Sequence, residues 1–269
     1  DHYTPELEAL LGPAREPAEE LTDRHRDVAR SVQARFEECV LDLLRGVHDR
    51  YPLEAVCLSG GAAMNSVANG KVVGETPFER VYVPPAPGDA GGAVGAALWA
   101  WRERSGGERR PEPMTHSFYG QGFGSEELEA ALEEERDRLE EAGCGIERIE
   151  DEAALCAAVA EAIVDGRVVG WFQGRMEFGP RALGNRSILC DPRREDMREI
   201  INARIKLREP FRPFAPTVLR EHMAEWFEAD DDVPFMMKVY PIRKEKRAEV
   251  PAVTHVDGTG RPQTVTREQ

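Results

Sequence analysis

The chain has 269 residues and a formal net charge of −15 at pH 7, which is enough length for one to two domains with a sizeable buried core. With 41% hydrophobic and 32% charged residues it reads as globular rather than disordered, and no apolar run approaches the roughly 18 residues needed to cross a bilayer, which excludes an integral membrane protein. The acidic balance argues against a general nucleic-acid binder, which would present a basic surface.

The first predicted element is a long helix over 23–49. Val28, Val32, Phe36, Val40, Leu43, Leu44 and Val47 recur at spacings of three and four and so share one stripe. EAVCLS (54–59) reads as a short buried strand that ends in Gly60-Gly61 and leads into a helix from Ala62 to Val73. ERVYVPP (79–85) is a second strand, closed by prolines. PGDAGGAVGAALWAWRER then enters a small-residue helix that runs to about Arg104. The alternation predicts an α/β layer arrangement.

Residues 105–117 are rich in glycine and proline and read as a linker between a domain over 1–104 and another over 118–269. A glutamate-rich helix follows, with Ser125 as its N-cap and Gly143 as its stop. Another runs from Asp151, its cap, to Gly166, and RVVGWF (167–172) is a strand. The second part is therefore α+β in character. Five cysteines, odd in number and without a C-x-x-C pair, predict buried small hydrophobes in a reducing, cytoplasmic setting rather than disulfides or a zinc ribbon. The N-terminus carries no secretory signal pattern and does not start with Met, which is the expectation for a fragment or a processed chain.

Charge is unevenly placed. Residues 171–220 hold 11 basic and 6 acidic side chains, a local +5 within a protein whose other residues sum to −20. A cationic island in an anionic chain points to a small anionic ligand, while the surrounding field repels polyanions. Three constellations could carry chemistry. In LSGGAAMN (58–65), Gly60 and Gly61 permit close backbone approach and Asn65 offers an amide; a tight strand-to-helix turn is the alternative. In PPAPGDAGGAVGAAL (84–98), Asp89 either caps a helix or coordinates a metal. In GRMEFGPRALGNRSIL and INARIKLREPFRPFAPTV, Arg181, Arg186, Lys206, Arg208 and Arg212 sit in proline-stiffened loops with Asn185 and Ser187. Guanidinium forks bind phosphate bidentately, and stiff loops lower the ordering cost of such a site; an internal arginine network is the alternative.

These strings, together with PAVTHVDGTGRPQTV near the end, resemble the NodU/CmcH family of O-carbamoyltransferases over most of residues 25–265. The resemblance implies a fold of two parts, an actin-like ATPase (ASKHA) domain followed by a YrdC-like domain. It implies that the YrdC-like part forms carbamoyl adenylate from carbamoyl phosphate and ATP. The ASKHA part then transfers the carbamoyl group to a hydroxyl of a small-molecule or glycan acceptor, helped by a divalent metal such as iron or magnesium. Mapped onto this chain, Gly60, Gly61 and Asn65 take the nucleotide-loop role and Asp89 that of a metal ligand. Arg181, Asn185, Arg186 and Ser187, with His255, Asp257, Arg261 and Gln263, take that of binding carbamoyl phosphate and ATP. Lys206, Arg208 and Arg212 take the catalytic one, by stabilising charge on the phosphates. The implied partners are these substrates and a second copy as homodimer, with neither membrane nor nucleic acid.

The chain departs from the family at both ends. Nothing matches the family's histidine-rich first half, since the six histidines (His2, His25, His48, His116, His222 and His255) are scattered, and the family continues past HVDGTGRPQTV. The expectation is a fragment, the second half of the ASKHA domain plus a YrdC-like domain truncated at its C-terminus, without complete transferase activity alone. Two other classes compete. An RNA- or nucleotide-binding module would need a continuous basic face, which the −20 outside the arginine island opposes. An ASKHA-type sugar kinase would account for the glycine loops and leave the arginine-rich part unexplained.

Overall fold

A computed structural model describes residues 4–107 and 113–267. Residues 108–112 of the expected linker, and His2, lie outside the described residues. The chain divides into two compact units, one of residues up to Ala55 plus Lys71–Arg80, the other of Val56–Gly70 plus everything from Val81 onward.

The first unit is built on two helices, α1 (Pro5–Leu11) and the 28-residue α2 (Asp23–Arg50). Thr22 caps α2, its backbone N–H donating to Nδ1 of His25 at 3.1 Å. Leu41 and Leu44 are buried, as is Glu37 among them. Glu37 accepts from Nζ of Lys71 at 2.6 Å and from Nε2 of Gln33 at 2.8 Å. Burial pushes the Glu37 carboxyl up, but these partners outweigh it and hold it below its usual range. Val72 and Phe78 complete the apolar contact surface, with His48 edge-on to the Phe78 ring at 5.1 Å. The expected stripe holds in part: Leu44 is buried and Val28, Phe36 and Val40 are half-buried, but Val32, Leu43 and Val47 are exposed and the buried face also takes in Glu37 and Leu41.

Next come β1 (Ala55–Cys57), a 3₁₀ turn (Gly61–Met64), α3 (Ser66–Glu75), β2 (Arg80–Tyr82) and α4 (Gly91–Arg104), in the expected order. β1 and β2 form a two-stranded sheet. The prediction of a buried β1 is corrected, since Ala55 and Cys57 are exposed on either side of a half-buried Val56. The helix expected from Ala62 is interrupted at Asn65, whose Oδ1 accepts from the Ala68 backbone N–H at 3.1 Å and so starts α3 anew.

The second unit continues with α5 (Ser125–Glu134), α6 (Arg136–Glu141), α7 (Glu152–Val164), β3 (Val169–Phe172), β4 (Arg186–Leu189), α8 (Met197–Ile201), β5 (Thr217–Leu219), α9 (Met223–Trp226), β6 (Tyr240–Pro241), β7 (Thr259–Gly260) and β8 (Gln263–Val265). The single glutamate-rich helix expected from Ser125 to Gly143 breaks at Glu135, where Glu133, Glu134 and Glu135 crowd like charges that Arg136 and Arg138 only partly offset. Its cap is Gly124, whose N–H donates to Oε2 of Glu127 at 2.8 Å, not Ser125. Asp151 caps α7 as expected, accepting from the Ala154 N–H at 2.7 Å.

β3 and β4 pair antiparallel with Phe172 opposite Arg186, β5 and β8 pair parallel with Thr217 opposite Gln263, and β6 and β7 pair antiparallel. The result is a mixed α/β protein of small two-stranded sheets among the described residues. One apolar cluster joins Val218, Met223, Phe227, Val233 and Ile242, and another joins Met197, Ile201 and Ala252. The second anchors α8 and the π-helical turn that follows it, Asn202–Lys206, beneath the loop carrying Arg208. No described helix is long and apolar enough to cross a membrane.

The cysteines depart from expectation. Cys39, Cys57, Cys144 and Cys156 are exposed, because three fall on outward faces of α2, β1 and α7 and Cys144 lies in the loop after α6, and only Cys190 is half-buried. Burial, followed by the charge of Asp191, pushes the Cys190 thiol up to about 11. Ellman's reagent at pH 8 is therefore expected to titrate four thiols rapidly in the native chain and the fifth only after denaturation; a native count of five, or of fewer than four, contradicts this placement.

Candidate active site

The FGPRALGNRS loop is held from below by one carboxylate. Glu177 is buried, and its Oε1 accepts from the backbone N–H groups of Leu183 at 2.8 Å, Asn185 at 2.8 Å and Arg186 at 3.2 Å. Burial pushes its carboxyl up, yet the N–H groups of Leu183, Asn185 and Arg186 outweigh this and leave it below the usual range. The loop ends are tied in turn. Asn185 donates from Nδ2 to the Arg175 carbonyl at 2.7 Å and accepts from Nε2 of Gln173 at 3.1 Å. Ser187 Oγ accepts from the Gly184 N–H at 3.0 Å, and Gln263 Nε2 donates to the Leu183 carbonyl at 2.8 Å. Gly179 has φ +133° and lies so close to the Pro85 carbonyl that a Cβ would come within 2.7 Å of that oxygen, so this loop abuts the PPAPG turn.

Three predicted arginines converge. Arg261 is pushed down to about 10, first by burial and then by the charges of Arg181 and Arg208, so the three guanidinium groups share one neighbourhood. Arg181 is lowered by burial alone. Nε of Arg181 and Nε of Arg261 are buried with no hydrogen-bond partner, and none of the three forms an ion pair among the described residues. Arg208 is aimed by Asn202, which is fully buried; its Oδ1 accepts from Arg208 Nε at 2.7 Å while its Nδ2 donates to the carbonyls of Pro210 at 3.2 Å and Arg212 at 2.9 Å. Arg208 also lies over the Phe214 ring at 4.9 Å.

A turn borders this cluster. The Asp257 carboxylate accepts from the Thr259 hydroxyl at 2.7 Å and from its backbone N–H at 3.0 Å, and Thr259 Oγ1 lies 3.0 Å from Nδ1 of His255. His255 is lowered by burial first, with Asp257 opposing and Arg261 and Arg198 reinforcing the shift. Its Nε2 is buried without a partner.

The remaining predicted residues are placed as follows. Arg186 spends its guanidinium on the loop, donating to the carbonyls of Gln173 at 2.5 Å, Asn185 at 2.8 Å and Gly174 at 3.2 Å, and stacks on Phe172 at 3.6 Å. Arg212 is exposed and pairs with Glu209 at 2.8 Å, while Lys206 is exposed on the π-helical turn. Gly60 has φ +99°, and its N–H donates to the Pro87 carbonyl at 2.7 Å, which sets the Gly60-Gly61 turn beside the Asp89 turn. Asp89 is exposed and does not cap α4. Among the described residues no three His, Cys, Asp or Glu side chains come together to hold a metal. Sequence reasoning missed Glu177, Asn202, Gln173 and Thr259. Glu177 did carry a signal, as the one acidic residue between Arg175 and Asp191.

Against known proteins, residues 7–98 match the family described as carbamoyltransferase N-terminus and residues 160–269 match carbamoyltransferase C-terminus. Together they cover about three quarters of the chain, which belongs to the carbamoyltransferase family. An uncharacterised protein of Synechocystis sp. is 42% identical over 95% of this chain and 44% of its own length. The nodulation protein NolNO of Sinorhizobium fredii is 43% identical over 91% of this chain and 35% of its own. The 3'-hydroxymethylcephem-O-carbamoyltransferase of Streptomyces clavuligerus is 35% identical over 78% of this chain and 36% of its own. The chain thus spans less than half the length of these curated relatives.

Glu177→Gln is expected to cost about 1.5–3 kcal/mol in urea unfolding at pH 7, the scale of hydrogen bonds to a charged acceptor. The folded carboxyl lies below its usual value, so its contribution is present above pH 4.5 and lost as pH falls through the folded value. The gap between the two proteins should therefore close on acidification; a gap that widens with acid would contradict the placement.

Proposed function

We propose that this chain carries the part of an O-carbamoyltransferase that activates carbamoyl phosphate with ATP as carbamoyl adenylate, for transfer to a hydroxyl-bearing acceptor. The observation that carries this reading is the convergence of Arg181, Arg208 and Arg261, partly buried and without a neutralising carboxylate in ion-pair range. Buried guanidinium donors without partners cost stability, on the order of 1–3 kcal/mol each, and a phosphate ligand offsets that cost.

The chemistry balances as follows. Water takes the phosphoryl group of carbamoyl phosphate, breaking the bridging P–O bond and leaving carbamate. A carbamate oxygen attacks the α-phosphorus of ATP and expels pyrophosphate. The acceptor hydroxyl then attacks the carbamoyl carbon, the bond to AMP breaks, and the hydroxyl proton is lost. Each activation step moves negative charge onto phosphate oxygens, and fixed guanidinium groups stabilise it without reorganising. Arg208, aimed by Asn202, and Arg261 are the residues assigned to that role. Arg186, Asn185 and Ser187 shape the loop, Gln263 ties it to β8, and Arg212 and Lys206 extend the positive field at the rim.

The name of the Streptomyces clavuligerus relative specifies carbamoyl transfer to a hydroxymethyl oxygen, which supports a hydroxyl acceptor here. In this reading residues up to 104 belong to an ASKHA-like domain and those from 118 to a YrdC-like one, with the Gly60-Gly61 turn and Asn65 serving a nucleotide. Asp89 would supply one ligand to a divalent metal, and no step is routed through it.

Arg261→Ala is expected to weaken carbamoyl phosphate binding about 10- to 100-fold by calorimetry, matching loss of one charge-assisted hydrogen bond. Incubation of the chain with ATP and carbamoyl phosphate should give the mass of carbamoyl adenylate, and the variant should not. Unchanged affinity in the variant, or no adenylate from the parent chain, would overturn the reading.

A further inference from the structure

The arginine cluster has one gap in its chemistry. Guanidinium groups only donate hydrogen bonds, so Arg181, Arg208 and Arg261 bind any small acyl phosphate through its oxygens and cannot distinguish one acyl group from another. Carbamoyl phosphate differs from acetyl phosphate by an NH₂ in place of a CH₃ of nearly equal size. Recognition of that difference needs an acceptor among the donors.

His255 has the geometry of such an acceptor. The Thr259 hydroxyl gives its single proton to Asp257, 2.7 Å away. Its oxygen, 3.0 Å from Nδ1 of His255, can then only accept, so the proton of the neutral ring lies on Nδ1. The turn is further fixed by the His255 N–H to the Thr259 carbonyl at 2.8 Å and the Gly258 N–H to the His255 carbonyl at 2.9 Å. This leaves the Nε2 lone pair without a protein partner and shielded from water, on a ring whose charge state Arg261 and Arg198 influence. The charged groups facing the ring are Asp257, Arg261 and Arg198; burial and the two arginines keep it neutral against the pull of Asp257.

We propose that His255 is the specificity-determining residue of the cluster, its Nε2 accepting a hydrogen bond from the carbamoyl NH₂, with Thr259 and Asp257 as the residues that hold the required tautomer. This rests on the reading of the cluster as a carbamoyl phosphate site.

The test compares carbamoyl phosphate with acetyl phosphate binding to the full chain by calorimetry. The parent chain is expected to prefer carbamoyl phosphate by about tenfold, the size of one hydrogen bond. His255→Phe should bring the ratio to about one while acetyl phosphate affinity stays within a few-fold, and His255→Gln, which keeps an acceptor, should retain most of the preference. If His255→Phe binds neither phosphate, Thr259→Val decides: freeing the tautomer should lower the ratio at least threefold, and an unchanged ratio overturns the proposal. Nitrogen-15 spectra of the imidazole give a second readout, with a protonated Nε2 in the native chain counting against it. A preference that survives His255→Phe, or a parent chain that binds both phosphates equally, overturns the role of His255 and leaves the phosphate site standing. A parent chain that binds neither phosphate overturns the site itself.

Discussion

The Glu177 carboxylate is withdrawn from water and satisfies three backbone N–H groups at once, and the positions of most other site residues follow from it. A loop with glycine at 179 and 184 and prolines nearby has no secondary structure of its own to fix it. Three charge-assisted bonds to one buried anion do so in place of a ladder. Holding Leu183 presents its carbonyl to Gln263, which links the loop to the β5–β8 pair. Holding Asn185 and Arg186 leaves their side chains to tie Gln173, Gly174 and Arg175, which sets the end of β3 against the start of β4. The same anion offsets part of a strongly positive neighbourhood without pairing directly with the guanidinium groups of Arg181, Arg208 and Arg261.

That last point separates two kinds of arginine in one motif. Arg186 and Arg181 lie five residues apart and look equivalent in sequence. Arg186 sits on β4 opposite Phe172, so its guanidinium stacks on that ring and reaches the carbonyls of the preceding turn. Arg181 sits at the loop apex, past Gly179, and its Nε is buried with nothing to donate to. The first stabilises the protein; the second is held at a cost that only an anion offsets. Asn202 does for Arg208 what the carboxylate does for the loop, fixing a direction by a neutral acceptor that does not cancel the charge.

Much of this was legible in the sequence. The element order from α2 to β3, the α7 cap at Asp151, the cationic island and the family strings all follow from residue types at fixed spacings. Of the predicted residues, Arg181 and Arg208 act on the charge of Arg261, and Arg261 on that of His255. What pattern could not supply was contact across long sequence separation. Gln263 meets Leu183 across 80 residues, and Glu37 meets Lys71 across 34. The exposed members of the α2 stripe have the same origin. Periodicity weighs Leu43 and Val32 as core, while the partner of the helix is a lysine that draws Glu37 inward instead. The exposed cysteines show the limit of composition, since small apolar side chains on short strands and thinly packed helices bury only if something covers them.

A protein with net charge −15 that keeps three arginines unpaired faces opposing fields at two ranges. Beyond about 8 Å at physiological salt the surrounding acidic side chains are screened, so their repulsion acts weakly on a small anion and adds up along a polyanion. Within the cluster, low polarizability strengthens both the mutual repulsion of the arginines and their attraction to a ligand. Burial, then the charges of Arg181 and Arg208, bring Arg261 down to about 10, so each added positive charge nearby raises the cost of the others. A further cation would be costly there, and the neutral ring of His255 adds a polar group without adding charge. The arrangement therefore favours a compact ligand that brings its negative charge to the guanidinium donors.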